Sequence, residues 1–221
     1  MRGTWGIGIN KVGISLAIPD PAFDAAYRLQ DTLSSLNIAS ADATTARRLS
    51  AENKVLSKAT QQLVNINSPS LSEIIYWFNK RSINLYGEQL LRTIAWKQGK
   101  FPSTSNGAAE EIKYWVGRGI DKNALNIIDG SGLSPGNRIT TMAMASILFQ
   151  AQKEDWFAPF YDSLPEFNGM KIKSGSIRDV SAYAGYHTDK NGNKYVVVIN
   201  INNYNGGGIS RKLFKVLDAL K

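Results

Sequence analysis

Apolar positions along the chain change period twice. Residues 4–18 alternate in the manner of extended chain: Thr4-Trp5-Gly6-Ile7-Gly8-Ile9, a break at Asn10-Lys11, then a run from Val12 to Ile18. Asp20-Pro21 then predicts a helix start, with Asp20 as N-cap and Pro21 in the first turn. That helix runs to about Leu36 and is expected to bury Phe23, Ala26, Tyr27, Leu29, Leu33 and Leu36. Residues 37–68 are polar and without clear period, 54–64 being the part most like extended chain. Ser70-Leu71-Ser72-Glu73 is a capping box that opens a helix with Ile74, Ile75, Trp77 and Phe78. The pattern breaks at 79–82 and resumes with Leu85, Leu90, Leu91 and Ile94 as a buried stripe. Residues 99–107 read as loop, and 108–116 as a helix with Ile112, Trp115 and Val116 inward.

The second change comes late. Residues 129–136 form a tight Gly-rich loop, after which Thr140 or Thr141 caps a helix with Met142, Ile147 and Leu148. From Lys171 the period is that of strands: 171–177, 181–187 and 194–202, the last two joined through Asn191-Gly192, a strong hairpin signal. A closing helix over 210–220 presents Leu213, Phe214, Leu217 and Leu220. Helices in the middle and an antiparallel meander with a helix at the end make the expected class α+β. No repeat or low-complexity segment interrupts it, and a single domain over 1–221 is expected.

Composition narrows the chemistry. With 43% hydrophobic residues in 221, the chain can bury a real core. It has no cysteine and a single histidine, His187, so thiol catalysis, disulfides and Cys-based or multi-His metal centres are excluded. No cofactor or metal is expected. Acid–base chemistry near neutral pH would fall to lysine, carboxylate or tyrosine. The net charge of +8 comes from scattered basic residues without a polybasic arm, which argues for a solvated basic surface and against a nucleic-acid partner. The first residues contain no apolar core long enough for a signal peptide, and no stretch of about 18 apolar residues could span a membrane.

Two short motifs carry candidate chemistry. Lys173-Ser174-Gly175-Ser176 heads the strand region. Alternation puts Lys173 and Gly175 on one face and Ser174 on the other; the glycine lets a ligand approach the backbone, and the Ser176 amide is free to donate. A lysine and a hydroxyl at the mouth of a cleft suit a substrate ending in a carboxylate. Ser82-Ile83-Asn84 falls at a helix–helix junction, where a hydroxyl and an amide can project into a cleft. Ser35-Leu36-Asn37 has the same form, so the tripeptide alone has little weight. Asp129-Gly130-Ser131-Gly132 lacks the Lys-Ser/Thr of a phosphate-binding loop and reads as a structural turn.

Order and context add to these signals. The stretch from Asn79 to Leu91 around Ser82-Ile83-Asn84 resembles the Ser-x-Asn region of the class C penicillin-binding proteins, the D-alanyl-D-alanine carboxypeptidases of peptidase family S13. Asp129-Gly130-Ser131-Gly132-Leu133-Ser134 is similar to that family's Asp-Gly-Ser-Gly-Leu-Ser loop and is the most specific match. Leu164-Pro165, Lys173-Ser174-Gly175-Ser176 and Ala182-Tyr183-Ala184-Gly185-Tyr186 resemble its Lys-Thr/Ser-Gly strand and the next one; Ile18-Pro19-Asp20-Pro21-Ala22 resembles the return of the chain to the catalytic domain. The matches run in order over about 15–218.

The resemblance implies part of the DD-peptidase/β-lactamase-like fold and a serine carboxypeptidase/endopeptidase of peptidoglycan metabolism in the periplasm or cell envelope. It also implies β-lactams and a stem peptide ending in D-Ala-D-Ala as partners. By resemblance, Ser82 relays a proton toward the leaving amine, Asn84 holds the substrate's amide, and Lys173 and Ser174 bind the terminal carboxylate or assist the relay. Gly175 leaves room for the ligand, and the Ser176 N–H is one of two oxyanion donors.

The family's Ser-x-x-Lys nucleophile motif is a departure: no serine of this chain has a lysine three residues later. The expectation is therefore a C-terminal portion of such an enzyme, not acylated by penicillin as a lone polypeptide. The alternatives are a non-catalytic stem-peptide-binding module and a basic structural or nucleic-acid-binding protein in which the motif matches are vestigial. In the family fold, N-terminal strands flank the last strand of the sheet; residues 4–18 or a second copy are expected to cover the edge that 195–199 would otherwise present.

Overall fold

The computed structural model describes residues 18–55, 58 and 60–221, and its chain falls into two compact units, 1–66 and 67–221. The extended segment expected over 4–17 lies outside the described residues. In the first unit α1 spans Pro21–Ser35 and α2 spans Ala46–Ala51. The α1 start is as expected: Pro21 sits in the first turn and the Asp20 carboxylate accepts the Phe23 N–H at 3.2 Å. Its apolar stripe is not buried, and Tyr27, Leu29 and Leu36 are all more than half exposed. The reason is a shortage of partners, since the described residues of this unit offer only the short α2, whose Arg48 guanidinium stacks 3.5 Å from the Phe23 ring centre. The described residues of 54–64 form no strand.

The second unit holds α3 (Leu71–Arg81), α4 (Asn84–Lys97), α5 (Thr104–Gly117), a two-residue ladder of β1 (Leu125–Asn126) with β2 (Arg138–Ile139), α6 (Thr141–Ala151) and α7 (Phe157–Ser163). It then runs through β3 (Glu166–Phe167), β4 (Met170–Ile177), β5 (Val180–Thr188) and β6 (Lys194–Asn202) to α8 (Ile209–Leu217). The Ser70–Glu73 capping box closes in both directions, and Thr140 is the cap of α6. Helix α5 begins earlier than expected. Ser103 caps it, and Gly107 belongs to the helix because the α4 backbone passes there: an added Cβ would lie 2.0 Å from the Leu91 carbonyl oxygen. Leu85 and Met142, expected inward, are 63% and 75% exposed.

The four strands β3 to β6 pair antiparallel in the order β3-β4-β5-β6. Constant register through β4–β5 and β5–β6 keeps alternate side chains on fixed faces. One face carries Met170, Ile172, Tyr183 and Val197 against Leu213 and Leu217 of α8, a core in which each is at most 6% exposed. The other face carries Ala184, Tyr186, Val196 and Val198 toward α6 and α7, where Leu148 and Leu164 are buried. Among the described residues the outer edge of β6 is unpaired. Its expected cover, 4–18, falls almost wholly on residues not described.

Candidate active site

Helix α3 stops because Ser82 turns left-handed, at φ 51° and ψ 51°. A serine there stores roughly 1–3 kcal/mol of strain and must be held by its surroundings. The holding groups are the two residues before Arg81. The buried Asn79 side chain donates to Ser163 Oγ at 2.7 Å, and Ser163 Oγ donates on to the Phe160 carbonyl at 2.5 Å. Lys80 Nζ donates to the Leu164 carbonyl at 2.7 Å. The next carbonyl, that of Pro165, accepts the Ile172 N–H at 3.1 Å. One short corner, 163–165, thus ties the end of α3 and the start of β4 to the same point.

That corner brings the two motifs together. Lys173 Nζ donates to Ser82 Oγ at 3.0 Å across 91 residues of sequence, and to the Ser174 carbonyl at 2.7 Å. Burial pushes the Lys173 ammonium below the ordinary lysine range. Gly175 lies on the Lys173 face, opposite Ala182, and nothing stands within 4 Å of where a Cβ would point. The space beside Lys173 is open.

The main chain of β4 supplies the rest. Because the Ile172 N–H points away from β5, strand parity turns the N–H and C=O of Ser174 and Ser176 the same way. Among the described residues, that edge has no strand beside it beyond Lys171, since β3 pairs only with Met170 and Lys171. The amides of Ser174 and Ser176 are therefore edge donors next to the Lys173–Ser82 pair. The Ser174 side chain stands opposite Tyr183, on the face away from Lys173. Asn84 opens α4 as an exposed residue.

Beneath the junction, α4 is pressed onto the Gly-rich loop. An added Cβ at Gly87 would meet the Gly130 carbonyl oxygen at 2.0 Å, and one at Gly130 would meet the Gly87 carbonyl oxygen at 2.2 Å. Glu88 Oε1 accepts the N–H groups of Gly130 and Ser131, each at 3.1 Å. Asp129 braces the loop from inside, accepting from the Gly132 N–H at 2.6 Å, the Ser134 N–H at 2.7 Å and Asn137 Nδ2 at 2.9 Å. The loop is the structural turn expected of it; its backbone amides are used internally. Among the described residues, no group of three or more His, Asp or Glu is placed to hold a metal ion.

Sequence reasoning assigned no role to Asn79, Lys80 or Ser163. Asn79 left a readable sign, being a polar residue four positions after Ile75 on the inward side of α3. Lys80 and Ser163 left none, because their partners lie 84 residues away.

Comparison with known proteins gives the chain a family. A sequence model of the D-Ala-D-Ala carboxypeptidase 3 (S13) family matches residues 1–166. A D-alanyl-D-alanine carboxypeptidase of Actinomadura sp. (strain R39) is 28% identical over 159 residues, covering 62% of this chain and 30% of that protein. Carboxypeptidase DacB of Mycolicibacterium smegmatis is 23% identical over 180 residues, covering 72% and 39%. The fold is similar to that of penicillin binding protein 4 (dacB) from Haemophilus influenzae, solved with a β-lactam: TM-score 0.69, 24% identity, 87% of this chain and 50% of that one. The chain thus spans well under half the length of the curated relatives it matches.

Proposed function

Because the chain belongs to the D-Ala-D-Ala carboxypeptidase 3 (S13) family, we propose that the Ser82–Lys173 junction is the substrate-holding side of a peptidoglycan stem-peptide site at the cell envelope. The supporting observation is the 3.0 Å contact between Lys173 Nζ and Ser82 Oγ, made by two motifs that sequence alone could only align. A peptide ending in D-Ala-D-Ala lies along the open edge of β4. Its terminal carboxylate meets Lys173 and the Ser174 position, and the carbonyl to be cleaved points at the Ser176 N–H. Gly175 leaves room for the peptide, and Asn84 holds its amide at the mouth of α4. The lowered proton affinity of Lys173, in contact with the Ser82 hydroxyl, suits a pair that passes a proton toward a leaving amine. β-Lactams are ligands of the same site.

Covalent turnover needs a nucleophile as well. No serine among the 221 residues has a lysine three positions later, so the chain by itself binds and does not cleave. Titration of a D-Ala-D-Ala peptide by calorimetry tests the site. Lys173→Ala should weaken binding by roughly tenfold or more, the ~1.5–3 kcal/mol of a hydrogen bond to a charged group. Equal binding by both proteins would overturn the assignment. Intact mass after incubation with penicillin tests the second statement: no adduct is expected, and a stable one would show that a serine of this chain is the nucleophile.

A further inference from the structure

Ser82 stands apart among the residues that turn left-handed. Six residues other than glycine have positive φ among those described, and the other five are asparagine or aspartate. Those two side chains tolerate the conformation by bonding to their own backbone, and serine gains less from it. An asparagine at 82 would relax the junction, yet the position holds a hydroxyl. The strain points to a use for the hydroxyl itself.

Its surroundings are those of an activated serine. Lys173 Nζ lies 3.0 Å from Ser82 Oγ and 2.7 Å from the Ser174 carbonyl oxygen. Both partners are neutral oxygens, and among the described residues no carboxylate pairs with this lysine. Burial without a counter-charge favours the neutral amine. A neutral Nζ has one lone pair and two hydrogens. With one hydrogen held by the Ser174 carbonyl, the lone pair is left to accept from the Ser82 O–H. A hydroxyl hydrogen rotates to suit its partner, so the same 3.0 Å contact serves in either direction.

We propose that Ser82 is a nucleophile in its own right, with Lys173 as its base, and that this chain hydrolyses activated esters of short acyl groups. The neutral amine takes the Ser82 proton as Oγ bonds to the ester carbonyl carbon. The edge N–H groups of Ser174 and Ser176, beside the pair, are the donors for the oxyanion. The bond from that carbon to the leaving oxygen breaks, and the departing anion takes the proton from Lys173. Water then gives a proton to Lys173 as its oxygen bonds to the acyl carbon; the carboxylic acid leaves and Oγ regains the proton. The open space at Gly175, where nothing stands within 4 Å of an added Cβ, takes the acyl group. Esters are selected because an activated oxygen leaves as an anion, whereas an amide nitrogen must be protonated as it goes. With Ser82 and Lys173 both occupied in the attack, no second acid of the pair remains to do so. Stem peptides and β-lactams lose a nitrogen, so they are bound and not opened. The two readings use opposite states of one residue: charged Lys173 holds a carboxylate, and neutral Lys173 activates Ser82.

A fluorophosphonate, whose P–F bond breaks as a serine oxygen bonds to phosphorus, should label the full 221-residue chain, and peptide mapping should place the label on Ser82. Turnover of p-nitrophenyl acetate should fall about a hundredfold or more in Ser82→Ala and in Lys173→Met, the loss expected of a removed nucleophile or base. Lys173→Arg keeps the charge but cannot act as a base, and should be as inactive as Lys173→Met. Ser35→Ala, in the other Ser-x-Asn tripeptide, should match the unaltered chain, and circular dichroism checks the fold of each variant. The label on the unaltered chain decides the matter without any variant: no label, or a label on another residue, would overturn the proposal. Turnover that survives Ser82→Ala would overturn it too. A chain that hydrolyses the ester and ignores a D-Ala-D-Ala peptide would support this inference and end the peptide reading; the reverse result would do the opposite.

Discussion

The sheet with α8 and the cluster of α3 to α7 are built from similar residues and end in different states. The first is sealed: Ile172 and Met170 are essentially inaccessible, with Val197, Leu213 and Leu217 closing over them. The second encloses its apolar side chains around a space. A sealed layer fixes side chains by packing, whereas an open one leaves their positions to local hydrogen bonds. Lys173 comes from the sealed layer and Ser82 from the open one. That is why the 163–165 corner matters: it transfers the order of the sheet to the end of α3.

Truncation should break the symmetry between the halves most visibly. Ile172→Ala removes atoms from a filled core and should cost about 3–4 kcal/mol by urea unfolding. Leu90→Ala, on a wall that already borders open space, should cost under ~1 kcal/mol because few neighbours lose contact. Similar losses at the two positions would mean that the helical half is as closed as the sheet.

Gly87→Ala sharpens the comparison, since it probes a place where the helical half is packed backbone to backbone. A Cβ 2.0 Å from the Gly130 carbonyl oxygen must part α4 from the loop, at roughly 2–3 kcal/mol in thermal unfolding. Glu88→Gln tests the same contact more gently. It keeps an acceptor for the Gly130 and Ser131 N–H groups but removes the charge, and about 1–1.5 kcal/mol should go. If Gly87→Ala is silent, the loop is free to move and does not brace α4.

Legibility in the sequence followed the same division. The meander was readable because alternation and one Asn-Gly turn fix β4, β5 and β6 locally, and the expected 194–202 strand is β6 to the residue. The order of the helices was readable from caps at Asp20, Ser70 and Thr140. Their inward faces were less so: Leu85, Met142 and the α1 stripe are apolar and exposed, because periodicity says which face is apolar and not whether anything covers it. Gly107 was misread because a glycine used for close helix packing looks like a glycine used in a loop. At the site, the motifs named Ser82 and Lys173. The contact between them depends on Asn79, Lys80 and Ser163, whose pairing is long-range and has no local signature.

The smallest expected effect is a pH dependence that only the junction can produce. Burial lowers the Lys173 pKa from the ordinary 10.5, so the folded state gives up this proton more readily than the unfolded state does. Between the folded value and 10.5 the unfolded chain binds more protons, and stability therefore rises with pH across that window. The rise ends once both states are neutral. Lys173→Met removes the titration, so the difference in unfolding free energy between the two proteins should drift in favour of the unaltered chain on approach to pH 10.5. Ser82→Ala, which removes the hydroxyl that accepts from Nζ, should make the drift steeper, because the charged form then loses a partner while burial stays the same. Parallel curves for the unaltered protein and Lys173→Met would mean that water reaches Nζ freely, and that the sealed layer does not extend to the residue it presents.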